Sequence, residues 1–195
     1  MDNKRICVFC GSGEGNDPAY REGAEDLARE IVRRGYGVVY GGGLIGLMGA
    51  VARTALDLGA EVIGVIPRTL TEREVAFEDV TELHVVDSMH ERKALMNELS
   101  AGFVALPGGY GTMEELFEVI TWAQLGIHSK PFGLLDVNGF FDPLMAFLDH
   151  ATREGFIREE YREMLRSSSD PSELLDHLVS WTAPEPISWL DLEQT

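Results

Sequence analysis

Short apolar runs alternating with stretches of helical character limit what this chain can fold into more than any other feature. The runs occupy 5–10, 37–40, 61–66, 83–87, 102–106 and 132–135, and the helical stretches lie near 18–34, 45–58, 89–100, 113–126, 140–153 and 171–181. A strand with one wet face alternates apolar and polar residues. Runs such as GVVY and VIGVI do not alternate, so they read as strands buried on both faces, the mark of a parallel sheet covered by helices. Right-handed crossovers then place helices on both sides of the sheet. The expected fold class is α/β, a doubly wound parallel sheet in one domain over 1–181, with a Pro-containing tail over 182–195. Only the charged stretch 68–79 and that tail fit neither pattern. A chain of 195 residues can bury the core this needs.

Ligands of such sheets bind beyond the carboxyl ends of the strands. Three glycine-rich turns fall there: CGSGEG (10–15), GGGLIGLMG (41–49) and PGGYGT (107–112). One such turn can serve chain reversal alone. Three on one edge point to a phosphorylated small molecule held by backbone N–H groups at helix starts. The arrangement is Rossmann-like, but no G-x-x-x-x-G-K-[ST] is present. Asn16 stands where GSGEGN would need its last glycine. Gly41, Gly43 and Gly46 do satisfy G-x-G-x-x-G, yet no carboxylate ends the next strand (GVIP) to take a ribose 2′-hydroxyl, so a dinucleotide site is not expected.

Charge removes other classes of partner. The formal net charge is −17, from 16 basic and 33 acidic residues, which opposes nucleic-acid binding. No apolar run is long enough to span a bilayer. The opening MDNKRICVFCGSG runs directly into a strand without a signal-peptide core, so a cytoplasmic protein is expected. Cys7 and Cys10 spell C-x-x-C, but in a strand they point to opposite faces about 10 Å apart, too far for a disulfide. Core packing is the expected role of both. The five histidines are scattered without ligand spacing, and no metal or cofactor is expected.

Two clusters carry candidate chemistry. Thr112-Met-Glu-Glu115 has the spacing of a capping box, in which Thr112 caps a helix and Glu115 reaches back. Ser88 to Glu91 has it too. Arg92 and Lys93 then fall early in a helix, where cations oppose the macrodipole by roughly 0.3–1 kcal/mol each unless an anion is bound. Both clusters therefore admit a structural reading, capping in one and a solvated face in the other. The functional reading puts an anion on the backbone N–H groups of the PGGYGT turn, with a glutamate one turn deeper addressing sugar hydroxyls or a cationic anomeric carbon.

The motifs CVFCGSxxG, YGGGxxGLMGxVA, GVIP, MHERKxxM, LPGGxGTxEE and TWxQLGxHxKP occur in this order from about residue 6 to 157. Together they resemble the Lonely Guy (LOG) family of cytokinin riboside 5′-monophosphate phosphoribohydrolases. Similar proteins carry the label "possible lysine decarboxylase", but nothing marks Lys4, Lys93 or Lys130 as a pyridoxal-phosphate lysine. The resemblance implies hydrolysis of the N-glycosidic bond of an N6-modified adenosine monophosphate, and a homodimer; Trp122 and nearby apolar helix residues are candidates to contribute to it, though ordinary core packing explains them equally well. By motif position it implies a catalytic pair at Arg92 and Glu115. It implies substrate contacts at Glu74, Arg92, Lys93, the run Gly109, Tyr110, Gly111, Thr112, Met113, Glu114 and Glu115, and Thr121. Ser12, Met89 and Gly108, in the same motifs, complete the expected binding set. Gly13, Asp136 and Phe141 depart from the common pattern without removing a catalytic position.

The expected mechanism seats the phosphate on PGGYGT with help from Lys93. Glu115 stabilises an oxocarbenium-like transition state or orients water, and Arg92 positions the nucleotide and assists departure of the base. The group that protonates the base stays open. The rival readings are a general AMP nucleosidase, a non-catalytic nucleotide or cofactor carrier, and an interaction scaffold.

Overall fold

Strands that are apolar on both faces must be sandwiched, and this chain supplies the helices to do it. A computed structural model describes residues 4–182; beyond Thr182 the expected tail lies outside the described residues. The order is β1 (Arg5–Phe9), α1 (Ala19–Arg33), β2 (Gly37–Tyr40), α2 (Gly46–Asp57), β3 (Val62–Pro67), β4 (Glu82–Val86), α3 (Met89–Leu99), β5 (Gly102–Ala105), α4 (Tyr110–Gln124), β6 (Phe132–Leu135), α5 (Asp142–Arg153), α6 (Glu159–Met164), β7 (Arg166–Ser168) and α7 (Pro171–Ser180). The strands form one parallel sheet in the order β4-β3-β2-β1-β5-β6-β7. The fold is α/β and Rossmann-like.

Alternate residues of each strand feed two separate cores. Ile6, Val8 and Cys10 join Val38 and Tyr40 under α1, α2 and α7. Cys7 and Phe9 join Val39 and Ile63 on the other face, under α3, α4, α5 and α6. The two cysteines are free, buried and divided between the cores, as the strand period requires. Helix α1 shows the matching pattern: Ala24, Leu27, Ala28 and Ile31 lie at helical spacing on its buried face.

The expected strands occur within a residue or so of their anticipated bounds. Two elements were not legible. Helix α6 (EEYREM) has no apolar stripe, and β7 (RSS) is an edge strand with no apolar residue. The charged segment 68–79 contains a 3₁₀ turn at Arg68–Leu70, then folds back onto the second glycine-rich turn through a bridge between Gly43 and Ala76.

The topology decides where a ligand can enter. From β1 the chain winds outward through β2 and β3 to β4, then α3 carries it back to β5 on the opposite side of β1. The loops after β1 and β5 therefore part at their carboxyl ends, the crevice such sheets use for ligands. Gly46, at the start of α2, braces this edge. Its φ is +60°, and a Cβ there would sit 2.3 Å from the carbonyl carbon of Ser12. The next residue, Leu47, donates its N–H to Gly11 O at 3.1 Å. Only glycine meets both demands. Gly46→Ala is expected to cost about 2–4 kcal/mol and to lower Tm by roughly 5–15 °C. Gly13→Ala, where a Cβ meets nothing within 4 Å, should leave Tm unchanged; thermal melts of both variants check the contrast.

Candidate active site

Helix α4 starts earlier than its sequence suggests. A T-x-x-E box predicts a start at 113 with Thr112 as cap. In the structure Gly109 is the N-cap, with no side-chain cap bond, and Tyr110 is the first helical residue. The first intrahelical bond runs from Met113 N–H to Gly109 O at 3.1 Å. The N–H groups of Tyr110, Gly111 and Thr112 therefore point out of the helix end toward the crevice. Thr112 is pulled inside the first turn, so Glu115 has no cap to close. It is turned inward instead and is only 7% exposed.

The Ser88 box behaves differently. Ser88 caps α3 by accepting the N–H of Glu91 at 3.1 Å, and Glu91 Oε2 accepts the N–H of Asp87 at 2.9 Å. With its start fixed, α3 directs Arg92 under the sheet edge rather than into solvent. Arg92 is 4% exposed, which overturns the solvated-face reading. Room for it comes from Gly41 at the end of β2, where a Cβ would lie 2.2 Å from the guanidinium nitrogen Nη2.

The guanidinium meets two carboxylates. Arg92 Nη2 lies 3.2 Å from Glu115 Oε1, and Nη1 lies 3.8 Å from Glu74 Oε2. Arg92 Nε and Glu74 Oε2 are buried without a hydrogen-bond partner in the described structure. Burial pushes the Glu115 carboxyl up to about 7 against the opposing pull of Arg92, with Glu114 and Glu74 adding to the rise. Burial also raises Glu74, again opposed by Arg92. Two acids thus share one cation in a site poised to exchange a proton near neutrality.

These groups line a cavity of about 250 Å³ at the crevice. Ser12 borders it from the β1 loop, Met89 and Arg92 from α3, and Glu74 from the 68–79 segment. Gly109, Tyr110, Gly111, Thr112 and Glu115 border it from the β5 turn and α4, with Tyr110 97% exposed at the mouth. Gly108 faces an adjoining hollow that shares Gly11, Ser12 and Gly109 with this one. Other residues of the expected set lie elsewhere. Met113 packs against the α4 side of the core. Thr121 Oγ1 donates to Phe117 O at 2.7 Å on the exposed surface of α4. Lys93 and Glu114 bond to one another, and Lys93 Nζ also meets Glu118 Oε1 at 2.9 Å; neither borders the cavity. Sequence reasoning missed Met48 and Leu70 as lining residues. Met48 belongs to a glycine-rich turn already placed at this edge, whereas Leu70 carries no signal.

A family model described as "Possible lysine decarboxylase" matches residues 48–178. The cytokinin riboside 5′-monophosphate phosphoribohydrolase LOG of Oryza sativa subsp. japonica is 55% identical over 172 residues, covering 88% of this chain and 71% of that protein. The enzyme of that name, LOG3, from Arabidopsis thaliana is 53% identical over 178 residues, covering 91% and 83%. Among solved structures, the molybdenum cofactor carrier protein of Chlamydomonas reinhardtii superposes with a TM-score of 0.68 at 19% identity, over 92% of this chain and 99% of that one. At that identity the likeness concerns the fold alone. Among the described residues no lysine borders the cavity, and Lys130 Nζ bonds to Asn97 O.

The raised Glu115 carboxyl makes a stability prediction. In the unfolded chain the group ionises near 4.5, so between there and about 7 the native state holds the proton more tightly. Its contribution is fully present below pH 4.5 and is lost as pH rises through 7, by about 3 kcal/mol in all. Glu115→Gln stays neutral throughout. It should melt roughly 5–10 °C above wild type at pH 8 and close to it at pH 5. A variant less stable than wild type at pH 8 would mean that the attraction to Arg92 outweighs burial.

Proposed function

The chain belongs to the family of cytokinin riboside 5′-monophosphate phosphoribohydrolases, and on that premise we propose that it hydrolyses the N-glycosidic bond of an N6-modified adenosine 5′-monophosphate. The products are the free base and ribose 5-phosphate. The observation that carries the reading is the buried Arg92–Glu115 pair, set one helical turn below the open N-terminus of α4.

That separation divides the substrate. The N–H groups of Tyr110, Gly111 and Thr112 take the phosphate, whose charge suits the helix dipole. A carboxylate 4 Å from it would be repelled by about 4 kcal/mol per unit charge at an effective dielectric near 20. One turn deeper, Glu115 faces the ribose instead. There its ionised form stabilises positive charge at the anomeric carbon and takes a proton from the attacking water, in the manner of glycosidase carboxylates. As the bond to the purine breaks, its electron pair leaves with the base, and Arg92 offsets the charge that develops. The same arrangement suits a group whose carboxyl titrates near 7.

The choice between a substituted purine and plain AMP turns on the apolar part of the cavity lining. Met48, Leu70 and Met89 supply that part. An apolar N6 substituent gains from it, which favours the cytokinin nucleotide over AMP.

The finer assignments follow from the same reading. Thr121 lies outside its own cavity, on an exposed stretch that continues through Leu125 and Ile127. A homodimer built on this stretch would let Thr121 act at the partner's site. A cytoplasmic location is proposed from the sequence; no helix of the described residues is long and apolar enough to cross a membrane.

Incubation with AMP and, separately, isopentenyladenosine 5′-monophosphate, with chromatography of free base and ribose 5-phosphate, tests the reading. Base should be released from both, faster from the substituted nucleotide, with turnover falling as pH drops through about 7. Glu115→Gln should lose roughly 10²–10⁴-fold in kcat while remaining folded, and near-wild-type turnover would remove Glu115 from the chemistry. Light scattering should report a dimer that Ile127→Asp weakens.

A further inference from the structure

Arg92 and Lys93 are neighbours on α3, but their side chains do not share a destination. Consecutive helical residues are about 100° apart around the axis. Arg92 points into the cavity to Glu115. Lys93 points along α4, where its ammonium bonds Glu114 and lies 2.9 Å from Glu118 Oε1. The Lys93 side chain is 9% exposed, as enclosed as that of Glu115. Two consecutive cations of one helix thus engage three carboxylates on one stretch of the other.

Helix α3 needs such ties. Its fully buried residues are only Arg92 and Met96. Met96 anchors it in the core with Leu95 and Leu99 packed beside it toward the C-terminal end, so near its start the polar contacts help to set its angle. Glu114 and Glu118, four residues apart on α4, repel each other unless a cation bridges them. Lys93 is that bridge. With two carboxylates on its three N–H donors, and no edge on the cavity, it is poorly placed to serve a phosphate as well.

We propose that Lys93 is a positioning residue, which fixes α3 against α4 through Glu114 and Glu118 and thereby sets Arg92 against Glu115, and that it is not a ligand of the substrate phosphate. The proposal rests on the reading of Arg92 and Glu115 as the reacting pair. The two can fail separately, because one of the tests below needs no turnover. Small errors in the placement of a reacting pair cost rate more than binding, and this sets the expected pattern.

The first test is steady-state kinetics with isopentenyladenosine 5′-monophosphate. Lys93→Met should lose at least 10-fold in kcat with KM within about threefold of wild type, and Lys93→Arg should recover most of that loss. Lys93→Glu should be worse than Lys93→Met, and adding Glu118→Lys should restore at least fivefold over Lys93→Glu. A swapped ion pair can reclamp two helices, whereas a lost phosphate ligand is not returned by a lysine on α4. The second test is calorimetric titration with AMP in the Glu115→Gln background, where hydrolysis is slowed; adding Lys93→Met there should leave Kd within threefold. A 10-fold rise in KM and Kd at unchanged kcat, or a charge swap that restores nothing, would overturn the proposal and return Lys93 to the phosphate. If Lys93→Met fails to fold, the charge-swapped pair decides alone. If wild type binds AMP but releases no base, the functional reading fails, and the AMP affinities still decide the role of Lys93.

Discussion

One buried guanidinium organises the carboxyl edge of the sheet. Taking a charge out of water costs several kcal/mol, and paired charges recover this only when their geometry and hydrogen bonds are good. Arg92 is compensated incompletely: Glu115 lies at 3.2 Å and Glu74 at 3.8 Å, and Nε is buried without a partner. Burial still raises both acids above the usual carboxylate range, against the pull of Arg92. An apolar residue would stabilise the same volume as well or better. The arrangement makes physical sense as a preorganised site whose unsatisfied groups await a ligand. Its demands then explain its surroundings. Gly41 leaves room for the guanidinium, and Ser88 fixes the start of the helix that delivers it.

The strongly acidic surface is compatible with an anionic ligand because the two act at different ranges. Much of the charge is already paired, as on α1, where Arg21, Arg29 and Arg33 bond Glu25, Asp26 and Glu30. Exposed charges farther than about 8 Å are screened at physiological ionic strength. On the proposed reading, an entering phosphate meets the open end of α4 at contact, with the nearest glutamate of the site set one turn back. The net charge of −17 thus argues against an extended polyanion without opposing a single phosphate.

Most of the fold was legible because it depends on patterns that span whole elements. Unbroken apolar runs identify β1, β2, β3, β5 and β6, and strand period alone separates Cys7 from Cys10. Elements stabilised by position rather than pattern, α6 and β7, left no such trace. At the site the limits were local. Ser88–Glu91 and Thr112–Glu115 share the S/T-x-x-E spelling, and of these two only Ser88 caps. The tight Gly108-Gly109 turn lets α4 begin at Tyr110, and that shift of one turn moves Glu115 from a helix surface to the cavity floor. Glycine spacing shows that a sharp turn exists but not on which residue the helix begins. Likewise the sequence puts Arg92 and Lys93 side by side without telling which of them enters the crevice. That depends on the rotation of α3, which tertiary packing sets.

Glu74 shows how the least patterned segment can still be placed. It reaches Arg92 from a loop with neither a long helix nor a strand of its own. The loop is pinned to the second glycine-rich turn: Leu44 N–H bonds Val75 O at 2.8 Å and Glu74 O at 3.1 Å, and Phe77 N–H bonds Gly42 O at 2.9 Å. Between these pins Val75 takes a φ of +49°, a conformation a β-branched residue rarely adopts. Such strain costs of order 1–3 kcal/mol and persists only where surrounding bonds over-determine the backbone. Here they do, and the strained residue directly follows the one whose carboxylate meets the guanidinium. A relaxed loop would leave Glu74 in solvent, as its charged sequence suggests, and Arg92 would lose its second counter-charge. The strain at Val75 and the incomplete pairing of Arg92 therefore belong to one arrangement, in which stability is given up to hold an acid where it can act.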